Sequence, residues 1–444
     1  MFSSFLFLTY VLLYNNEKYM FDNDINEKGK NLPYSFTYDE ILKAYEDCMS
    51  NKRNTANAIK FSVDYITKLI ALCDEINNGT YEIGSSITFI VKFPVLREVF
   101  AADFRDRIVH HLVINELMQY FEQEFIDESF SCRKGKGVLY GVNTMYEKVR
   151  ECTENYTKDA WIVKLDIKSF FMSIDKQLLA NMVDDMIVRL YPENRKKQKL
   201  RDLCKQIILH QPQLNCTRRG DLSLWEKLPF HKSLFHTDSA KGLAIGNLTS
   251  QIFANYYMNL LDHYIKDELG FKYYGRYVDD LCIISTDREK LINAIPLIVK
   301  FAEEKLLLKV HPNKRYMQYY KNGVKFIGGV LKCNRKFVIN RTVGSLIFKL
   351  KSKFGVVNEK NLMDLLRTVN SYLGFIGQFD SYNIRKRILS NKELIGQWLP
   401  YIDVDENDYR KITLKNNPES KRIKNIREDI EMLDECEYGE NVIF

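Results

Sequence analysis

The sequence predicts an α+β fold, and two observations lead to this class. Short apolar runs of strand length alternate irregularly with longer stretches of helical spacing, and several runs end on acidic residues or enclose them. This order fits an α+β domain better than regular βαβ winding. The chain has 444 residues, 45% of them hydrophobic and 28% charged, which predicts two or three packed subdomains of ordinary globular composition.

Hydrophobic spacing predicts the elements in chain order. Helices are predicted from Thr37 and over 56–78, 103–126 (long and amphipathic), 176–210, 248–269 and most of 342–400. Strands are predicted over 86–95 and 161–167, with a hairpin over 272–286 and two strands over 324–340 around Gly328 and Gly329. Residues 211–241 are predicted to be loop-like.

Charge and cysteine content narrow the class of protein. The net charge of +7 suits a polyanionic partner without proving one. The nine cysteines show no CxxC pair and no Cys/His spacing typical of zinc sites. We therefore expect reduced thiols in a cytoplasmic protein rather than a disulfide framework.

The two ends of the chain differ in character. The first fourteen residues, MFSSFLFLTYVLLY, form an apolar run that is too short to span a bilayer. We interpret it as a packing segment, or as residues upstream of a true start at Met20, rather than a membrane anchor. A polar, Asn-rich linker follows to residue 36, and the last forty residues are highly charged.

Three carboxylates stand where metal-dependent chemistry could use them. Asp166 ends the apolar run WIVKLD, and Asp279 and Asp280 lie inside the apolar stretch GRYVDDLCII. Adjacent carboxylates among apolar strand residues are costly unless a metal or another partner compensates them. Mg²⁺ takes oxygen ligands, and nucleotidyl transfer uses two such ions about 3.5–4 Å apart. The alternative for the Asp279–Asp280 pair alone is an ordinary turn.

Seven segments in order resemble the motifs of reverse transcriptases. They are LREVFAADFRDRIVHH (96–111), SFSCRKGKGV (129–138), KLDIKSFFMSID (164–175), GLAIGNLTSQIFANYYMNLLD (242–262), YYGRYVDDLCII (273–284), KVHPNKRYMQ (309–318) and GVKFIGGV (323–330). The resemblance implies an RNA-directed DNA polymerase with the right-hand fold of fingers, palm and helical thumb. Its palm would be an antiparallel sheet with helices.

The domain organisation is predicted on that basis. An apolar segment and linker cover 1–36, fingers with N-terminal helices 37–160, a palm with a fingers insertion 161–335, a helical thumb 336–402, and a charged tail 403–444.

The resemblance also implies roles for individual residues. Two Mg²⁺ ions, with Mn²⁺ as an alternative, would be held at Asp166, Ile167, Asp279 and Asp280. The nucleotide would be bound by Arg97, Arg105, Phe171, Ile245, Gln251 and Lys314, with Phe171 excluding a 2′-hydroxyl and Lys314 donating a proton to pyrophosphate. Template and primer would contact Arg133, Lys134, Lys136, Gly328 and Gly329.

Several of these assignments have structural alternatives. Arg105 could form an ion pair with Asp103 or Asp106 instead of binding triphosphate. Phe171 could be a core aromatic. The tandem His110–His111 cannot easily face one metal from a helix, so we interpret both as packed or hydrogen-bonded.

The pocket motif departs from the commonest pattern, which has Gln before the glycine and Pro after the serine. Ile245 and Gln251 stand at these positions, a form that resembles the reverse transcriptases of diversity-generating retroelements. That resemblance implies cDNA synthesis that is error-prone at template adenines, for mutagenic retrohoming. It also implies a repeat RNA as template and a small basic accessory variability protein that forms a ring. The alternatives are an antiphage-defence reverse transcriptase and a non-catalytic nucleic-acid scaffold.

Overall fold

The computed structural model describes residues 35–416 apart from 51, 53–54, 93–94, 194 and 353–358. The α-helices are α1 Tyr38–Met49, α2 Ala56–Ser62, α3 Tyr65–Asn78, α4 Phe104–Glu124, α5 Val138–Cys152, α6 Phe170–Ser173, α7 Lys176–Leu190, α8 Arg195–Leu209, α9 Ser223–Lys227, α10 Leu248–Tyr257, α11 Asn259–His263, α12 Arg288–Leu306, α13 Asn340–Ser352, α14 Glu359–Ile376, α15 Tyr382–Leu389 and α16 Lys392–Ile395. The strands are β1 Ser86–Val91, β2 Arg97–Ala101, β3 Trp161–Asp166, β4 Cys216–Arg218, β5 Tyr273–Tyr277, β6 Asp280–Ser285, β7 Tyr316–Tyr319, β8 Val324–Phe326, β9 Gly329–Leu331, β10 Phe337–Val338, β11 Ile402–Val404 and β12 Ile412–Leu414.

A four-stranded antiparallel sheet in the order β5-β6-β3-β7 lies at the centre. Strand β3 is apolar at most positions, and its Ile162, Val163 and Leu165 are fully buried because both faces of the sheet are covered. Its pairing with β6 runs from Trp161 opposite Ser285 to Asp166 opposite Asp280. This register brings the acidic end of β3 to the acidic start of β6.

Helix α4 is capped by Asp103, the residue before it, whose side chain accepts a hydrogen bond from the backbone N–H of Arg105. Its predicted bounds of 103–126 are close to those observed, but its predicted amphipathic character is wrong. Residues 108–110 and 112–114 are all buried, because α1 and α10 cover more than one side of the helix.

His110 of this helix shares a hydrogen bond with the hydroxyl of Thr249 at 3.1 Å, and burial lowers the pKa of its imidazole to about 3.

Two long predicted helices are divided. The helix predicted over 176–210 ends at Leu190 and resumes at Arg195, since Pro192 disfavours helical geometry at the residue before it. The helix predicted over 248–269 consists of α10, α11 and a π-helical turn, Tyr264–Glu268.

The segment predicted to be loop-like, 211–241, contributes more than a loop. Its strand β4 pairs in parallel with β1, with Ser86 opposite Cys216. The result is a second sheet in the order β2-β1-β4. Buried Glu98 of β2 anchors the segment by accepting hydrogen bonds from Trp225 Nε1 and Ser233 Oγ, both at 2.9 Å.

The C-terminal helices α13–α16 share a separate core centred on Trp398, which is fully buried. The hairpin β11–β12 belongs to this unit, because Ile402, Tyr409 and Ile412 are buried in the same core. Asn370 of α14 further holds the hairpin by bonding both backbone groups of Ile412, at 2.8 and 2.9 Å. This packed unit includes residues on both sides of the boundary predicted between 402 and 403.

Our predictions for residues 1–34 and 417–444 lie outside the described residues. Among the helices that the structure does describe, none is long and apolar enough to cross a membrane.

Candidate active site

The three predicted carboxylates converge where β3 meets β6. Asp166 is the last residue of β3 and lies opposite Asp280, the first residue of β6. Asp279 occupies the turn between β5 and β6, and its carbonyl oxygen accepts a hydrogen bond from the N–H of Ile167 at 3.3 Å. The structure thus places the four residues predicted to hold metal at one end of the central sheet.

The carboxylates repel one another. Burial, together with the charges of Asp280 and Asp166, raises the pKa of Asp279 from its ordinary value of 3.8 to about 6. Arg97, exposed on β2, is the cation whose charge opposes this rise. The ionised form of Asp279 is therefore disfavoured in the folded protein.

Two lysines contact the other carboxylates. Lys164 Nζ lies 2.9 Å from Asp280 Oδ1, and Lys314 Nζ lies 3.0 and 3.1 Å from the two oxygens of Asp166. Across the described ranges, no three acidic, histidine or cysteine side chains are already grouped to enclose a metal. The donor set nevertheless fits a hard divalent cation, because it consists of carboxylate oxygens, the ligands that such ions prefer.

Two of the residues predicted to bind nucleotide belong to one wall of apolar side chains. Phe171 and Ile245 are half-buried against one cluster that includes Phe100. Backbone bonds fix both segments: Leu243 N–H donates to Phe171 O, and Phe100 N–H donates to Ile245 O, each at 2.8 Å. The structure thus brings together the two residues predicted to line the sugar and base parts of a nucleotide pocket.

The glycine after Ile245 is required by this packing. Gly246 has φ +120°, and a Cβ there would stand 2.8 Å from the backbone oxygen of Phe100. Gln251, one turn into α10, is half-buried and its Oε1 accepts a weak hydrogen bond from Cys132 Sγ at 3.4 Å.

A family model described as reverse transcriptase (RNA-dependent DNA polymerase) matches residues 96–331, which is more than half of the chain. The chain belongs to the reverse transcriptase family. The α+β prediction is confirmed, and the fold is the right-hand polymerase fold of this family. The subdomain boundaries stay predictions.

Further comparisons add little. No curated protein matches the sequence. Among solved structures, apo telomerase from Candida tropicalis, truncated from its C-terminal domain, aligns with TM-score 0.41 and 12% identity over 56% of this chain and 54% of that one. Telomerase from Candida albicans in complex with a TWJ fragment of telomeric RNA aligns with TM-score 0.39 and 11% identity over 80% and 63%. This reverse transcriptase thus spans about half of the first telomerase chain, and similarity at these scores carries no argument about function.

Arg105 of the reverse transcriptase already has partners within the protein. Its guanidinium forms an ion pair with Glu75, donates to the carbonyl oxygen of Glu82 at 3.1 Å, and lies over the ring of Tyr81. Asp106 lies 3.7 Å away as a second acid. Arg105 therefore forms a structural ion pair, as in the alternative to triphosphate binding. Its main partner is Glu75 and not Asp103.

Arg133, predicted to contact template or primer, is buried and bound to other residues of the protein. Its side chain is 3% exposed, and it binds both oxygens of Glu122 and the carbonyl oxygens of Ile126 and Ser129. A buried guanidinium with its donors engaged holds the loop in place instead. Lys136 likewise bonds Asp127 O at 2.6 Å, whereas Lys134 is exposed.

The two glycines predicted to contact primer lie at a close approach between elements. Gly328 has φ +89°, and a Cβ there would stand 2.9 Å from Phe375 of α14. At Gly329 a Cβ would meet Val142 and Phe379 at 2.9 and 3.0 Å. Packing against Phe375 of α14 explains Gly328, and packing against Val142 of α5 and Phe379 explains Gly329.

Sequence reasoning missed two residues at the site. Lys164 stands two positions before Asp166, so strand alternation places both on one face and could have identified it. Arg276, in the motif GRYVDD, is fully buried beneath the turn. A lone arginine among apolar residues was the available signal, because such a group needs a buried partner.

Proposed function

We propose that this reverse transcriptase synthesises DNA on an RNA template, with Asp166, Asp279 and Asp280 as the metal-binding carboxylates. The observation that carries the proposal is their convergence at β3 and β6, where burial and the two neighbouring carboxylates raise the pKa of Asp279. Ile167 can contribute only its backbone carbonyl, because its side chain is apolar and buried. Mg²⁺ is the expected ion, and Mn²⁺ can substitute.

The metal pair supplies charge stabilisation for the attacking and leaving oxygens when it is bound. The residues of the chain prepare the site for that step. Lys164 and Lys314 must release Asp280 and Asp166, and both are close enough to rebind negative charge on a nucleotide. We assign Lys314, whose side chain is 59% exposed, to the pyrophosphate and Arg97 to the triphosphate.

Primer extension with exchanged templates tests this function. The purified full chain, in Mg²⁺, is given the same primer annealed to RNA or to DNA of equal sequence, with deoxynucleotides or ribonucleotides. We expect extension on the RNA template with deoxynucleotides. Absence of cDNA on RNA in both Mg²⁺ and Mn²⁺, while the preparation is folded, would contradict the proposal.

We further propose the finer activity of a diversity-generating retroelement, with a repeat RNA as template and a ring-forming accessory protein as partner. Its support is the pocket wall around Ile245, which packs among apolar side chains and offers no hydrogen bond to a base. Fewer directed hydrogen bonds reduce discrimination against mispairs.

Ile245→Gln is expected to lower misincorporation opposite template adenines by about tenfold, because an amide restores a directed contact. The measurement is sequencing of cDNA made on an adenine-rich RNA template. Ile245→Leu, which keeps an apolar group of equal volume, is the matched control and should retain the wild-type error rate. Equal adenine error rates in the Gln and Leu variants would count against this account of the pocket.

A further inference from the structure

Arg276 of β5 is fully buried directly beneath the turn that carries Asp279. Its Nε and Nη2 bind the two carboxylate oxygens of Asp262, at 2.7 and 2.6 Å. Its Nη1 donates to Asn255 Oδ1 at 2.9 Å and to the carbonyl oxygen of Val278 at 3.0 Å. The guanidinium thus connects two helices to the backbone of the turn.

Other polar groups complete this network. Asp262, also fully buried, accepts a third hydrogen bond from the hydroxyl of Tyr274 at 2.6 Å. Asn255 Oδ1 additionally accepts from Ser129 Oγ at 3.0 Å and from Ser131 Oγ at 3.2 Å. Every member lies in the interior between β5, α10, α11 and the 129–131 segment.

Stability alone is a poor explanation for such a network. A buried ion pair loses most of its attraction to desolvation, and apolar residues of the same volume often serve folding as well or better. A planar guanidinium with several fixed donors does provide geometric specificity. The network is therefore better explained by the backbone geometry that it fixes than by a gain in stability.

The network holds Val278 in a strained conformation. Val278 has φ 54°, a left-handed value that a β-branched residue rarely adopts. Its N–H donates to Ser131 Oγ at 3.1 Å, and its carbonyl oxygen accepts from Arg276 at 3.0 Å. Both peptide groups of the strained residue are thus bound to one connected set of side chains. Strain of this kind persists only where the surroundings over-determine it.

We propose that Arg276, clamped by Asp262, and Ser131 are positioning residues that impose the left-handed turn at Val278 and thereby aim Asp279 and Asp280 at Asp166. This inference rests on the proposed function, because DNA synthesis is the reaction that needs the carboxylates in this position. Val278 directly precedes Asp279, so a relaxed turn would redirect that carboxylate.

Two serines provide a matched pair for the test. Ser129 and Ser131 are both buried and both bond Asn255. Ser129 Oγ also accepts one of the several hydrogen bonds of Arg276, at 3.2 Å, but only Ser131 bonds the backbone of the turn. Ser131→Ala should raise the Mg²⁺ concentration for half-maximal primer extension by about tenfold, the lower end of the range for groups that orient metal ligands. The KM for deoxynucleotide should stay within about twofold, and Ser129→Ala should change the Mg²⁺ requirement less than about twofold.

Binding of Mn²⁺ to the nucleic-acid-free protein, followed by electron paramagnetic resonance, gives a readout that needs no polymerisation. Ser131→Ala and Arg276→Lys should weaken Mn²⁺ binding by about tenfold, and Ser129→Ala should not. If Arg276→Lys fails to fold, the comparison of Ser131→Ala with Ser129→Ala still tests the proposal. The proposal would be overturned if Ser131→Ala needed no more Mg²⁺ for primer extension, and bound Mn²⁺ no more weakly, than Ser129→Ala. A wild type that binds Mn²⁺ but does not extend primers would instead contradict the proposed function alone.

Discussion

Asp279→Asn is expected to abolish primer extension and, at the same time, to stabilise the metal-free protein. Loss of a ligand that supports several kcal/mol of charge stabilisation should lower the rate about a thousandfold. The stability effect has the opposite sign because the folded protein raises the pKa of Asp279 from 3.8 to about 6. Ionising this carboxyl at neutral pH therefore opposes folding.

The pH dependence follows from the same shift. The folded state holds the proton of Asp279 more tightly than the unfolded state does. Asp279 therefore contributes more favourably to folding at acidic pH than at neutral pH. Its contribution is lost as pH rises from about 4 through about 6, and the cost at pH 7 is about 1–3 kcal/mol. The asparagine variant has no such loss, so its free energy of unfolding should exceed that of wild type at pH 7.

Urea denaturation in the presence of EDTA at pH 5 and pH 7.5 measures this effect. Asp403→Asn, an exposed aspartate on β11, is the control and should match wild type in stability and activity. Added Mg²⁺ should stabilise wild type more than Asp279→Asn, because only wild type offers the full ligand set. An Asp279→Asn protein that is less stable than wild type at pH 7.5 would show that burial and the neighbouring carboxylates do not oppose ionisation of Asp279.

Phe171→Ala is expected to let the enzyme incorporate ribonucleotides. Phe171 is half-buried, follows Asp166 by five residues in the chain, and contributes to the wall shared with Ile245. Removing its ring makes room for a 2′-hydroxyl, and discrimination by shape alone is worth about 10–200-fold. We expect the preference for deoxynucleotides over ribonucleotides, measured as the ratio of kcat/KM values, to fall by about a hundredfold.

The neighbouring Phe170 supplies the control. Its ring lies 5.4 Å from that of Phe171 between centroids, but it is 3% exposed and packs into the main core. Phe170→Ala should lose about 3–5 kcal/mol of stability, as truncations of buried phenylalanine do, while keeping sugar selectivity in the folded fraction. If both alanine variants exclude ribonucleotides as wild type does, Phe171 is a core aromatic and not a gate.

The sequence predicted the elements that carry the carboxylates because their signals are local. An apolar run ending on Asp166 and an apolar hairpin around Asp279 and Asp280 define strand ends without knowledge of the rest of the chain. Antiparallel pairing then explains why they meet, and the observed register agrees.

Side-chain partners were less predictable, because they depend on contacts between distant parts of the chain. Arg105 and Arg133 looked available for nucleic acid, yet Glu75 and Glu122 engage them. A charged residue in a motif reveals its charge but not whether an acid from another helix already neutralises it.

The buried faces of α4 and the docking of the hairpin β11–β12 were also beyond local reasoning. The spacing in α4 did not show that two helices cover it, and the charge beyond residue 402 hid the few apolar residues that dock β11–β12. The strain at Val278 has no sequence signature, since valine is an ordinary strand residue.

The most direct test of the account is primer extension on an RNA template in Mg²⁺ by wild type and by the double variant Asp279→Ala, Asp280→Ala. The account predicts cDNA from wild type and a loss of about a thousandfold or more from the double variant, with both proteins folded. Extension by the double variant at the wild-type rate would contradict the assignment of chemistry to these carboxylates.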